Sequence, residues 1–86
     1  MSKCMLVRMD FRNIEIGNTE FKTLESQSFD VVDSMLDAIN QFPYYTDSYE
    51  ETEAAENKFM SEGRIELMKS TEGSSYFEVF TALKID

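Results

Sequence analysis

Histidine and tryptophan are absent from this chain, cysteine and proline occur once each, and only three glycines are spread over 86 residues. Each shortage excludes something. Without histidine there is neither the usual general base near neutral pH nor the commonest transition-metal ligand, and no Cys-His pair or Ser-His-Asp triad can be assembled within one chain. A single cysteine, Cys4, admits no intramolecular disulfide and makes no zinc site without further soft ligands. With no activating histidine beside it, Cys4 reads as a structural thiol and not a nucleophile. One thiol and six methionines fit a reducing cytoplasm better than a secreted scaffold. Gly17, Gly63 and Gly73 stand too far apart for a phosphate-binding loop. No apolar run approaches the roughly 18 residues of a membrane span. The start Met1-Ser2-Lys3-Cys4-Met5 lacks the apolar core of a secretory leader, and Ser2 stands where myristoylation needs glycine. The expected location is therefore the cytoplasm.

What the chain does have is enough apolar material to fold. The hydrophobic fraction is 42%, with seven Phe and four Tyr. That composition predicts one compact domain over residues 1–86 with a modest core. The net charge of −9 is unevenly placed. Residues 25–62 hold ten acids and one base, Lys58, while the rest of the chain balances at seven of each. An acidic excess so concentrated is either a solvated, solubilising face or a partner surface.

Alternation of Met5, Val7, Met9 and Phe11 predicts a strand with that face buried. The apolar phase then shifts to Ile14 and Ile16, which points to a bulge near Arg12-Asn13. Gly17-Asn18 suits a two-residue type II′ hairpin turn that sets Ile16 opposite Thr19 and Ile14 opposite Phe21. The second strand then runs from about Thr19 to Leu24. Ser28 is a fitting N-cap for a helix whose stripe is Phe29, Val32, Met35, Leu36 and Ile39, ended by Pro43. Its opposite face carries Asp30, Asp33 and Asp37. After a Tyr44-Tyr45-Thr46 linker, Asp47 to Glu50 and Ser48 to Glu51 both have capping-box spacing. They open a second helix over Tyr49–Glu62, stopped by Gly63, whose thin stripe of Tyr49, Ala55 and Phe59 makes it the least anchored element. Ile65 and Leu67 mark a third strand, and Thr71–Ser75 a hairpin loop. A long last strand follows, with Phe77, Val79, Leu83 and Ile85 on one face and Tyr76, Glu78, Phe80 and Lys84 on the other. The expected fold class is α+β in the order β-β-α-α-β-β, an antiparallel four-stranded sheet with two helices packed on one face. Strand order stays open, and a bent sheet half wrapping the first helix is equally allowed.

The acids in Asp47-Ser48-Tyr49-Glu50-Glu51 lack the spacing of a calcium loop, and capping explains them better. Paired carboxylates of a glycosidase need a substrate cleft for which a domain this size has little room. No enzyme, cofactor or metal is expected. Eight basic residues against seventeen acids disfavour direct nucleic-acid binding. Arg8 and Arg12 can share a sheet face with Tyr76 and Phe80 as a base-stacking platform, but cross-strand pairing with a partner or second-layer contact explains them more simply.

The acidic rows are the remaining functional feature. Carboxylates on successive helical turns, about 5.4 Å apart, can imitate a phosphate ladder and occupy the basic groove of a nucleic-acid-binding protein. In size, charge and mixed build the chain resembles the small acidic inhibitors of bacteriophages: DNA-mimic anti-restriction proteins, anti-CRISPR proteins and uracil-DNA glycosylase inhibitors. In the glycosylase inhibitors a Glu-Ser strand precedes an acidic helix, and Glu25-Ser26 ahead of Asp30, Asp33 and Asp37 looks similar. Two strands precede this helix, however, where that family has a helix and one strand. The resemblance implies a non-catalytic inhibitor, phage-encoded and working in the host cytoplasm against a host nuclease, CRISPR effector or DNA-repair enzyme. The expected partner-binding residues are Glu25, Asp30, Asp33, Asp37, Tyr44, Tyr45, Asp47, Tyr49, Glu50, Glu51, Glu53 and Glu56. The alternative is a phage accessory or immunity-type interaction protein that binds through Tyr44, Tyr45 and Tyr49, through outer-face aromatics Tyr76 and Phe80, or by strand pairing. A homodimer through an open edge of the last strand belongs to that alternative.

Overall fold

The computed structural model describes residues 2–70 and 72–86. Strands β1 (Cys4–Ile16) and β2 (Thr19–Val32) form a long hairpin. Helix α1 (Met35–Ile39), a 3-10 turn (Phe42–Tyr45) and helix α2 (Tyr49–Glu62) follow, then β3 (Arg64–Ser70) and β4 (Tyr76–Lys84). The four strands make one antiparallel sheet in the order β2-β1-β4-β3, so the element order is β-β-α-α-β-β and the class is α+β. No helix among the described residues is long and apolar enough to cross a membrane. The first residue of the expected 71–75 loop, Thr71, lies outside the described residues.

The first hairpin forms as its turn chemistry requires. Ile16 faces Thr19 and Ile14 faces Phe21. Gly17 has φ of +64°, and no other residue type among the described residues has positive φ, as a type II′ turn demands. The bulge lies elsewhere than expected. The register shifts between Asp10 and Phe11, leaving Glu25 as the extra residue on β2, where Arg12-Asn13 of β1 was the expected place.

The larger correction follows directly. β2 does not stop at Leu24 but continues through Val32, over residues expected to begin a helix. Phe29, Val31 and Val32 find partners in Val7, Met5 and Cys4. β-branched Val31 and Val32, with Ser26, Ser28 and Asp30 competing for backbone groups, disfavour a helix there. The helix that does form is five residues long and is capped by Ser34, whose Oγ accepts from the Asp37 N–H at 3.1 Å. It ends before Pro43, which sits in the 3-10 turn. α2, in contrast, has the expected bounds. Ser48 Oγ accepts from the Glu51 N–H, and the Glu51 carboxylate reaches back to the N–H of Asp47 at 2.9 Å. Gly63 closes it with φ of +73° and its N–H on the Phe59 carbonyl.

β2 and β3 are the two sheet edges, so the segment joining them must cross the sheet, and it crosses one face only. The covered face bears Cys4, Leu6, Phe80, Ala82 and Ile65, all buried with Phe42, Ala38, Ala55 and Phe59 of the helical layer. This reverses the expected face of β1. Met5, Val7, Met9 and Phe11 lie on the other side, in register with Phe77, Val79 and Leu83 of β4 and with Leu24, Phe29 and Val31 of β2. None of these residues is buried. β1 carries apolar residues on both faces at its start, Cys4 and Leu6 on one and Met5 and Val7 on the other, and the crossing segment decided which became core. Phe80, expected outward, is buried, and β4 is central and offers no open edge. Beyond the Arg12–Tyr76 pair the first hairpin projects as a two-stranded ribbon. The extents are 50 × 26 × 17 Å, and the radius of gyration of 14.4 Å exceeds the ~12 Å of a compact chain this long.

α2, expected to be the least anchored element, is held by Phe59 in an edge-to-face contact with Phe42 at 5.5 Å. Phe59→Ala should cost about 3–5 kcal/mol in urea unfolding, while Met60→Ala, at a side chain 58% exposed, should stay within about 0.5 kcal/mol.

Candidate functional site

The residues expected to bind a partner separate into three places. Glu25 sits on the β2 bulge, where its carboxylate pairs with Arg12 Nε at 2.9 Å. Glu25 and Ser26 therefore lie inside a strand, not between a strand and a helix. Asp30 is on the same strand, its Oδ1 accepting from the Val31 N–H at 3.0 Å. Asp33 falls in the β2–α1 connection and Asp37 in the first turn of α1. The helical row of Asp30, Asp33 and Asp37 does not exist, because a strand, a bend and a single helical turn replace the long helix that the row required. All three remain exposed at the β2 end of the helical layer.

Tyr45 is a core-covering residue and not an exposed anchor. It stacks on Phe80 at 4.5 Å, with an interplanar angle of 8°, and its hydroxyl donates to Glu78 Oε1 at 2.8 Å. On the same ring lies Arg8, 5.4 Å from the centroid and donating through Nη2 to Gln41 Oε1. Arg8 and Phe80 are cross-strand partners, as are Arg12 and Tyr76, but the helical layer covers the Phe80 end. A base-stacking platform is thereby closed off at that end.

The third place keeps the expected residues together. Asp47, Glu50, Glu51 and Glu53 are exposed at the N-terminal half of α2, with Glu56 partly buried one turn on. Tyr49, 81% exposed, stands within this acidic field, and Tyr44, 70% exposed, stands beside it with Lys69 Nζ 6.0 Å from its ring. Glu50 and Glu51 in the first turn also favour the helix dipole. The one ion pair among the described residues is Arg12–Glu25, so no cation neutralises the α2 acids by direct contact. The helical layer is therefore both the acidic side of the molecule and the side bearing exposed tyrosines.

A further acidic feature escaped the sequence reading. Asp10, Glu25, Ser26, Tyr76, Phe77 and Glu78, with Lys69 of β3 among them, line a shallow groove of about 480 Å³ where the strands run past the end of the helical layer. Asp10 Oδ2 accepts from the Ser26 hydroxyl at 2.7 Å, Glu25 holds Arg12, and Glu78 holds Tyr45. Each carboxylate thus has a structural partner. Asp10 and Glu78 are sixty-eight positions apart in sequence and opposite each other in the sheet, and only the β1–β4 register could have joined them. Among the described residues, no group of three or more acidic or cysteine side chains is placed to hold a metal ion. The buried thiol of Cys4 is raised above its ordinary 9.0 by burial first and by Asp86 second, against a lowering by Lys84. It is a poor nucleophile at neutral pH.

Comparison with protein-family models, curated proteins and solved structures finds no match to this chain.

Burial, and then the hydrogen bond to Glu78, raise the Tyr45 phenol above its ordinary 10.0. The folded state thus holds the phenolic proton more tightly than the unfolded state does. The stability this confers is intact below about pH 10 and is lost as pH climbs from there toward the higher folded value. Tyr45→Phe, which keeps the ring stack, should show a shallower loss of stability above about pH 10 than the parent, measured by urea unfolding at stepped alkaline pH. Parallel declines would show that Tyr45 does not carry this linkage.

Proposed function

We propose that the protein is a non-catalytic binding protein that docks the exposed face of α2 onto a basic, nucleic-acid-binding partner and blocks its groove. The observation that carries this reading is the placement of Tyr49 and Tyr44, both strongly exposed, beside Asp47, Glu50 and Glu53, none of them ion-paired among the described residues. A solubilising face needs charge but no exposed aromatic rings. Tyrosine is enriched at interface hot spots because it combines a large contact area with a polar tip. Carboxylates around such an anchor steer a basic partner and set the salt dependence of encounter. Glu50 and Glu53 lie one turn apart, and Tyr49 and Glu53 share a helix face.

The resemblance to small acidic phage inhibitors supports the same reading, with a host nuclease, CRISPR effector or DNA-repair enzyme in the cytoplasm as the class of target. The acidic set is narrower than sequence spacing implied. Tyr45 and Glu25 are engaged within the fold, and Asp30, Asp33 and Asp37 form a separate patch.

Capture of partners from host lysate, with washes at rising salt and with DNA as competitor, tests the reading. Tyr49→Ala should weaken capture by about 30-fold or more. Glu50→Gln with Glu53→Gln should slow association and flatten its salt dependence while leaving the thermal midpoint unchanged. A captured partner that binds the parent and both variants equally, or that DNA does not displace, would sink it.

A further inference from the structure

The sheet face turned away from the helices has no second layer. Its centre is uncharged and mainly apolar. Val7, Met9 and Val79 form the middle together with Thr81, flanked by Gln27 and Phe29 on β2, the latter 65% exposed, and by Met68 on β3, 64% exposed. Phe11 and Phe77 extend it toward the ribbon as a stacked pair with centroids 5.1 Å apart. An antiparallel sheet of a monomer presents polar side chains on its open face. Here alternation supplies apolar residues to both faces of the two central strands.

We propose that this face closes against the same face of a second copy, giving an isologous two-sheet dimer. Three observations select the second copy as occupant. The first is area. Three strands about 4.8 Å apart paired over nine residues and β3 paired over seven, at about 3.3 Å each, give a flat footprint of roughly 540 Å² per copy, and side-chain relief adds to it. Two such faces bury about 1,100 Å² or more, which clears the roughly 1,000 Å² expected of a biological interface.

The second is charge. The chain carries −9, which opposes self-association unless the acids are kept apart. Residues 33–62, which form the layer on the far side of the sheet, carry eight of the acids and only Lys58, while Glu66 of β3 lies on this face. Face-to-face sheets lie about 10 Å apart, and the helices about 10 Å beyond each, so the two acidic layers stand roughly 30 Å apart, beyond a Debye length of about 8 Å. Pairing through the exposed edge of β2 would instead bring Glu20, Glu25 and Asp30 of both copies together. The third is rim chemistry. On β3 the same face carries Arg64 and Glu66, in register with Leu83 and Thr81, one charge of each sign at a self-complementary border.

This inference is independent of the α2 reading, since it concerns the opposite side of the molecule and is tested without any partner. Sedimentation equilibrium of the full chain at about 100 µM and about 0.5 M salt, where surface charge is screened, should give twice the 10.0 kDa chain mass. Phe29→Asp and, separately, Met68→Glu place a charge at the exposed flanks, where the monomer fold tolerates it. Each should raise the dissociation constant about 30-fold or more, with the circular-dichroism spectrum unchanged. Two variants on different strands keep the test valid if one of them fails to fold. A parent chain that sediments at 10.0 kDa overturns the proposal, as does a dimer that both folded variants retain.

Discussion

Three phenylalanine rings hold the two layers of this protein together. Phe42 from the 3-10 turn meets Phe59 of α2 at 5.5 Å and Phe80 of β4 at 6.2 Å, both edge to face. In a chain of this size, which buries a smaller share of its surface than a larger domain does, a cluster of this kind is most of what separates a two-layer fold from a bare sheet. The rest of the covered face is arranged around it. Ala82 and Ala55 leave room for the rings, Leu6 and Ile65 flank them, and Tyr45 stacks on Phe80 from the rim. Tyr45 then hands its hydroxyl to Glu78, and Arg8 spans the same ring to Gln41, so polar groups close the cluster where it meets solvent.

From that cluster follows the two-sided character of the molecule. Because the helical segment crosses from one sheet edge to the other, it covers one face and carries eight of the seventeen acids, with Lys58 as its one base, on that side. The remaining face keeps the apolar side chains that central strands carry on both sides. A surface of charge and exposed tyrosine on one side and a mainly apolar surface with charges confined to its margins on the other are products of the same crossing. They have different physical requirements. The first attracts at a distance and weakens in salt, while the second acts only in contact and persists in it.

How much was legible in the sequence depended on whether a residue's neighbours were local. Gly17-Asn18 set its hairpin register because a two-residue turn fixes its own flanks. The bounds of α2 were legible because Ser48, Glu51 and Gly63 satisfy backbone groups within one turn. Phe29 to Ile39 misled because Phe29 and Val32 have helical spacing, whereas in β2 they lie on opposite faces against Val7 and Cys4, and the arbiter was β1 lying alongside. The candidate site divided in the same way. Tyr49, Glu50 and Glu53 share a helix and stayed together, whereas Asp30, Asp33 and Asp37 were grouped by a helix that never forms, and Tyr45 was claimed by Phe80.

The sequence by itself determined the α+β class, the element order, the first turn, the caps of α2 and the confinement of net charge to residues 25–62, since each rests on contacts or composition within a few residues. Only the tertiary structure decided that β2 runs to Val32, that β4 lies at the centre of the sheet, and that Cys4, Leu6 and Phe80 form core while Val7, Met9 and Phe29 do not. The physical reason is that the central strands carry apolar residues on both faces, and on β1 the more continuous apolar row, Met5 to Phe11, is the one left open. Which face loses its water is set by the helical layer that crosses it and not by the local pattern.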